Sequence, residues 1–221
     1  MQDNTGLTGI LSNSYIYEQL QNLVGARRAQ KWLADHYWKV SAGQKIVDVG
    51  CGSGTTLANL RRDITYIGFD ISKDYIAAAQ QRFDTRATFI VSTAEQLLDT
   101  PDPRLTDSDL VLCNGILHHL NDEEVIHVLK LAKQILTDNG RLVCFEPTFL
   151  AHQGFLSEWL MRKDRGKNIR LEGEWKQLTG TVFKSVQTSI ATNLYWVPYI
   201  HIIIECRNTL TANELAEDAA H

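Results

Sequence analysis

Four groups of residues in this chain have types and spacings suited to chemistry. The first is a glycine loop, Val47-Asp48-Val49-Gly50-Cys51-Gly52-Ser53-Gly54, in which Gly50, Cys51 and Gly52 let the backbone turn tightly and come close to a ligand. Asp48 stands two positions before the first glycine, and Asp70 follows twenty residues after it. A carboxylate beside such a loop disfavours a pyrophosphate and suits a cationic, ammonium-bearing ligand. Asp70, ending the next apolar run, can accept two hydrogen bonds from a ribose diol, and Ile71 beside it can lie flat against an adenine. The second group is His118 and His119, whose type titrates where a base must work to deprotonate an alcohol or phenol. Adjacent side chains diverge in a loop-to-helix turn, so at most one of the two faces the pocket; we rank His119 before His118. The third is His201 with Tyr199. The fourth is Arg162-Lys163-Asp164-Arg165-Gly166-Lys167-Asn168-Ile169-Arg170, where Arg165 or Arg170 could hold a substrate carboxylate or phosphate with a two-pronged guanidinium. The plainer alternatives are packing or helix capping for the histidines and a solvated face for the charge run.

Short apolar runs must position these groups. Lys45–Val49, Tyr66–Phe69, Thr88–Val91, Leu110–Asn114 and Leu142–Phe145 alternate with amphipathic stretches, which predicts βαβ units and a parallel sheet covered on both faces. Ser72 is an N-cap for a helix over Lys73–Phe83, and Asn121 with Glu124 makes a capping box for a helix ending near Leu136. Gly140 suits a left-handed turn after that helix. Apolar spacing between Tyr15 and Tyr37 predicts two N-terminal helices, which carry Tyr15, Tyr17, Gln21, Arg27 and Arg28. Near the other end, Ser185–Asn193 and His201–Arg207 are joined by a segment too short for a parallel crossover, so they form an antiparallel hairpin at the sheet edge. The sixth strand then runs parallel to the others, which brings Tyr195–Tyr199 and His201 back to the ligand-binding end.

With 221 residues, 44% hydrophobic and 22% charged, the chain is long and apolar enough for one large domain with a real core. A net charge of −4 gives no basic excess for nucleic acid. No apolar run is long enough to span a membrane, and the opening MQDNTG lacks the features of a secretory leader, so we expect a cytoplasmic protein. Cys51, Cys113, Cys144 and Cys206 form no C-x-x-C pair, and no carboxylate cluster appears, so neither a disulfide framework nor a metal site is expected.

V-D-V-G-C-G-S-G, then G-F-D-I-S, N-G-I-L-H-H-L and G-R-L-V-C-F-E-P, spread over about residues 40–150, resemble the class I S-adenosylmethionine-dependent methyltransferases, particularly their small-molecule branch. The resemblance implies an α/β, Rossmann-like, seven-stranded, mostly parallel sheet with an antiparallel terminal strand. It implies S-adenosylmethionine as cofactor, with the Gly50, Cys51 and Gly52 backbone at the methionine moiety, Asp70 at the ribose and Ile71 at the adenine. Ala94 and Glu95 would flank the adenine, and the Asn114 carbonyl would hold the methionine amine. Many relatives carry an aspartate where Thr93 stands here. The L-H-H-L segment would lie beside the transferred methyl. Residues 1–40 would be a helical lid, bringing Tyr15 and Tyr17 to the acceptor, and 41–207 the cofactor-binding domain. About 148–180 would be an insert on the substrate side, and 208–221 a frayed polar tail. The acceptor would be a small molecule methylated at oxygen or nitrogen, anionic if Arg165 or Arg170 binds it. Two alternatives remain: a nucleotide-dependent oxidoreductase, disfavoured because Thr55 replaces the third glycine of G-x-G-x-x-G, and a non-catalytic cofactor-binding partner subunit. The sequence does not fix the oligomeric state.

Overall fold

The computed structural model describes residues 25–162, 166 and 168–210. The apolar runs form strands β1 (Lys45–Val49), β2 (Thr65–Asp70), β3 (Thr88–Val91), β4 (Ser108–Asn114) and β5 (Leu136–Phe149). These pair in parallel, in the order β3-β2-β1-β4-β5, so the winding direction reverses between β1 and β4 and opens a crevice beyond their carboxyl ends. The expected hairpin is present as β7 (Ser185–Ala191) and β8 (His201–Arg207). β8 lies between β5 and β7 and runs antiparallel to both.

Among the described residues seven strands form one continuous order, as expected, and a short eighth is added beside it. β5 outruns β4, and the two-residue β6 (Arg170–Leu171) pairs in parallel with its overhanging Thr148 and Phe149. The left-handed turn expected at Gly140 is absent. The preceding helix stops at Ile135, Leu136 is already extended at φ −73° and ψ 142°, and Gly140 lies inside β5 without a positive φ. Glycine is needed there for closeness: a Cβ would fall 2.8 Å from the Ser108 carbonyl oxygen of the neighbouring strand.

Alternate strand residues fill two cores. Val47, Val49, Val111 and Cys113 pack under helix α4 (Asp122–Ile135) and against Trp175 of α6 (Glu172–Gly180). Ile46, Leu110, Leu112 and Val143 meet Leu33 and Trp38 on the opposite face. The second N-terminal helix is present as α1 (Ala26–Leu33), ending in a π-turn over Ala34–Trp38. The first, with Tyr15 and Tyr17, lies outside the described residues, as does most of the tail. The remaining helices are α2 (Lys73–Phe83), α3 (Ala94–Asp99) and α5 (Phe155–Arg162). Ser72 Oγ accepts from the Tyr75 N–H and caps α2. Asn121 and Glu124 form the expected reciprocal box at the start of α4.

Candidate active site

Beyond β1 the chain turns through Gly50, Gly52 and Gly54 at φ 64°, 52° and 76°, all left-handed. A Cβ at Gly50 would sit 2.0 Å from Ile116 Cδ1, whereas one at Gly52 would meet nothing within 4 Å, so the loop packs on one side and opens on the other. The Cys51 N–H donates to Phe69 O at 3.0 Å. Asp70 ties the loop to the next turn, since Oδ2 accepts from the Gly52 N–H at 3.0 Å and Oδ1 from the Ser72 N–H at 2.8 Å. Beside it Ile71 is 74% exposed, a large apolar side chain with nothing over it among the described residues. The loop leads into a single 3₁₀ turn, Thr56–Asn59. So short a turn provides little of the dipole that a pyrophosphate site uses.

Asp48 does not line the open side. It is buried beneath the loop, where the Tyr66 hydroxyl donates to its Oδ2 at 2.5 Å. Burial pushes its carboxyl up to about 7, against the lowering effect of hydrogen bonds from Tyr66 and Thr56, and the charge of Asp70 adds to the rise. Any ligand on the loop therefore meets Asp48 through its field and its neighbours. Asn114 ends β4, its Nδ2 3.5 Å from Thr56 Oγ1. Its Oδ1 is buried without a partner among the described residues, which asks for a donor. Thr93 is engaged as the cap of α3: its Oγ1 accepts from the Gln96 N–H and its own N–H donates to Gln96 Oε1, both at 3.1 Å. Ala94 and the exposed Glu95 form the first turn of that helix. An orphaned amide oxygen, an open glycine, a held carboxylate and a bare isoleucine fit a ligand that brings an ammonium, a diol and a flat apolar ring.

The histidine segment follows β4 as a 3₁₀ turn, Leu117–His119. His118 is buried and its Nδ1 lies 2.7 Å from Glu146 Oε2. Glu146, fully buried on β5, also accepts from the backbone N–H groups of Ile116 and Leu117 at 3.0 and 2.9 Å and of His118 at 3.3 Å. His119 points to solvent, with its ring centroid 4.0 Å from that of His118. Burial separates the pair, with His118 inside on a carboxylate and His119, the residue ranked first, exposed. Glu146 was not singled out at all. Its signal was available: a lone acid inside an apolar strand run persists there only when paired.

His201 is buried on β8 and stacks on Phe145 at 4.3 Å, with Tyr195 and Tyr199 at 4.6 and 5.2 Å. It belongs to an aromatic cluster on the sheet face opposite Glu146, apart from His118. Arg170 does not present its guanidinium to a substrate. All five of its N–H groups are engaged, with Asp122 Oδ1 and the carbonyls of Leu117, Leu120 and Asn168. Arg165, like Tyr15 and Tyr17, lies outside the described residues. Among the described residues no group of three or more potential ligands could hold a metal ion, and no helix is long and apolar enough to cross a membrane.

Residues 47–142 match the model of a methyltransferase domain family. The chain is 26% identical over 173 residues to desmethylxanthohumol 6'-O-methyltransferase of Humulus lupulus, covering 72% of this chain and 45% of that protein. It is 31% identical over 108 residues to 27-O-demethylrifamycin SV methyltransferase of Amycolatopsis mediterranei, covering 46% of this chain and 38% of that one. The chain thus spans less than half the length of these two relatives. Its fold resembles that of the mitomycin 7-O-methyltransferase MmcR, with TM-score 0.68, 14% identity and coverage of 93% of this chain and 61% of that one. It also resembles a SAM-dependent methyltransferase from Archaeoglobus fulgidus, with TM-score 0.67, 19% identity and coverage of 87% and 100%.

Proposed function

We propose that this chain is a class I S-adenosylmethionine-dependent methyltransferase, a reading its matched domain and its fold support, and that it methylates a hydroxyl oxygen of a small molecule with His118 as the base. The observation that carries this is the His118–Glu146 pair at the carboxyl end of β4, beside the glycine loop. A carboxylate can only accept at this contact, so His118 Nδ1 holds the hydrogen and Nε2 is the basic nitrogen. Nε2 takes the proton as the acceptor oxygen becomes nucleophilic, and Glu146 steadies the imidazolium that results. S-adenosylmethionine supplies a methyl already activated on a sulfonium, so what the protein adds is alignment, exclusion of water and this proton transfer. Gly50, Cys51 and Gly52 would receive its methionine moiety, Asp70 its ribose, Ile71, Ala94 and Glu95 its adenine, and Asn114 its ammonium. The buried, partnerless Asn114 Oδ1 favours adding that side chain to the carbonyl as an ammonium acceptor.

In this scheme 41–207 is the catalytic unit and 1–40 its cover. The bonds from Gln30 to Thr55 and from Asn59 to Gln30 support that, since they tie α1 to the turn after the loop. With Arg170 engaged inside the fold, no described residue of the insert about 148–180 argues for an anionic acceptor. Four cysteines, all buried thiols, suit the reducing cytoplasm.

Calorimetry with S-adenosylhomocysteine and with NAD is the first test. Micromolar binding of the former and none of the latter is expected, and the reverse result restores the oxidoreductase. Transfer of labelled methyl to a panel of phenols and alcohols is the second. His118→Gln should slow it by about 10²- to 10⁴-fold with S-adenosylhomocysteine affinity retained. Equal activity of that variant would remove His118 from the mechanism, and cofactor binding with no transfer to any acceptor would favour a partner subunit.

A further inference from the structure

We propose that Gly166, Asn168 and Arg170 form a positioning strap that locks the His118 imidazole against Glu146, with Arg170 as its anchor. The proposal rests on His118 being the base. The hydrogen bond at Nδ1 holds one edge of the imidazole, and Gly166 packs on the other: a Cβ there would fall 1.9 Å from His118 Cδ2 and 2.9 Å from Nε2, so the strap backbone lies directly on the ring. The Asn168 N–H donates to the His118 carbonyl at 3.0 Å. Arg170 then brackets the same turn from both ends. Its Nη1 reaches Leu117 O at 3.4 Å, its Nη2 reaches Leu120 O at 3.0 Å, and Nη2 and Nε hold Asp122 Oδ1 at the start of α4 at 2.6 and 3.0 Å.

The strap is itself fastened to the sheet. Arg170 opens β6 against the β5 overhang, its carbonyl accepts from Thr148 Oγ1 at 2.9 Å, and its guanidinium lies 4.8 Å from the Trp175 ring centroid. Glu146 is two residues before Thr148 on the same strand, so the imidazole, its carboxylate partner and the strap share one rigid support. A lysine at 170 keeps the charge but has only three donors on one nitrogen. It cannot serve three carbonyls and a carboxylate at once.

The test is the hydrogen-bonded Nδ1 proton of His118, observed by NMR as a downfield, slowly exchanging signal and identified by its loss in His118→Gln. In Arg170→Lys and in Gly166→Ala it should exchange at least about tenfold faster or vanish, because local opening of the turn exposes it. S-adenosylhomocysteine affinity should stay within about twofold, since neither residue touches the glycine loop. An unchanged proton signal in folded Gly166→Ala or Arg170→Lys overturns the strap. Should the lysine variant not fold, the alanine variant decides alone. If the native chain fails to bind S-adenosylhomocysteine, the functional proposal falls while the proton signal still decides the strap.

Discussion

Two buried carboxylates, on the strands either side of β4, have different surroundings. Glu146 receives three backbone N–H groups and an imidazole. Glu146→Ala would leave those donors buried without an acceptor, at about 1–3 kcal/mol each, so urea denaturation should show a loss of several kcal/mol. Among the described residues Asp48 receives only the hydroxyls of Tyr66 and Thr56, and burial, with the charge of Asp70 added, holds its carboxyl up at about 7. The folded chain therefore keeps a proton that the unfolded chain gives up at ordinary carboxylate pH. The sign follows: the native state loses stability as pH rises from about 4 to about 7 through this group. Asp48→Asn should relieve that cost, so its gain in denaturation free energy over the native chain should be larger at about pH 8 than at about pH 5. A gain independent of pH would mean that Asp48 does not titrate in this range. The glycine turn was legible because its residues are contiguous, and the place of Asp70 because one βα unit sets where the next strand ends, whereas Asp48 lies beneath the loop and not at its open side. Glu146 was not legible, since its partner lies 28 residues away, and the ranking of His119 before His118 had no burial behind it until the fold separated the two.

Elements divide the same way. The caps of α2 and α4 were readable because an N-cap and its partner sit three residues apart. Asn121→Ala should cost about 1 kcal/mol in a chemical melt. Thr93 and Gln96 form an equally good box at α3. We passed over it because Thr93 was weighed as a ligand contact in place of an aspartate. Gly140 shows the converse. Its neighbours Asp138 and Asn139 suggest a turn, but close packing against β4 makes the segment extended. Gly140→Ala should therefore cost more than the cap, about 1–3 kcal/mol, by driving a methyl into the Ser108 carbonyl and Leu136. A loss below that of Asn121→Ala would show that β5 can move aside.

For the whole molecule, the crevice between β1 and β4 is where a ligand's binding energy would couple to folding. If S-adenosylhomocysteine binds there, ligand at about 100 times its dissociation constant adds about 2.7 kcal/mol to unfolding. At about 2–4 °C per kcal/mol for a chain of this size, the Tm should rise by about 5–10 °C, and NAD should leave it unchanged. Alternation of apolar runs with amphipathic stretches was enough to give a doubly covered parallel sheet, its hairpin end and the location of the glycine loop, because period and local spacing are properties of the chain itself. The tertiary structure alone decided that His118 rather than His119 is buried on a carboxylate, that Arg170 is turned inward to hold the turn, and that β5 runs long enough to pair with β6. Each of those depends on which distant segments share a volume, and burial, donor satisfaction and overhang exist only once the segments have been brought together.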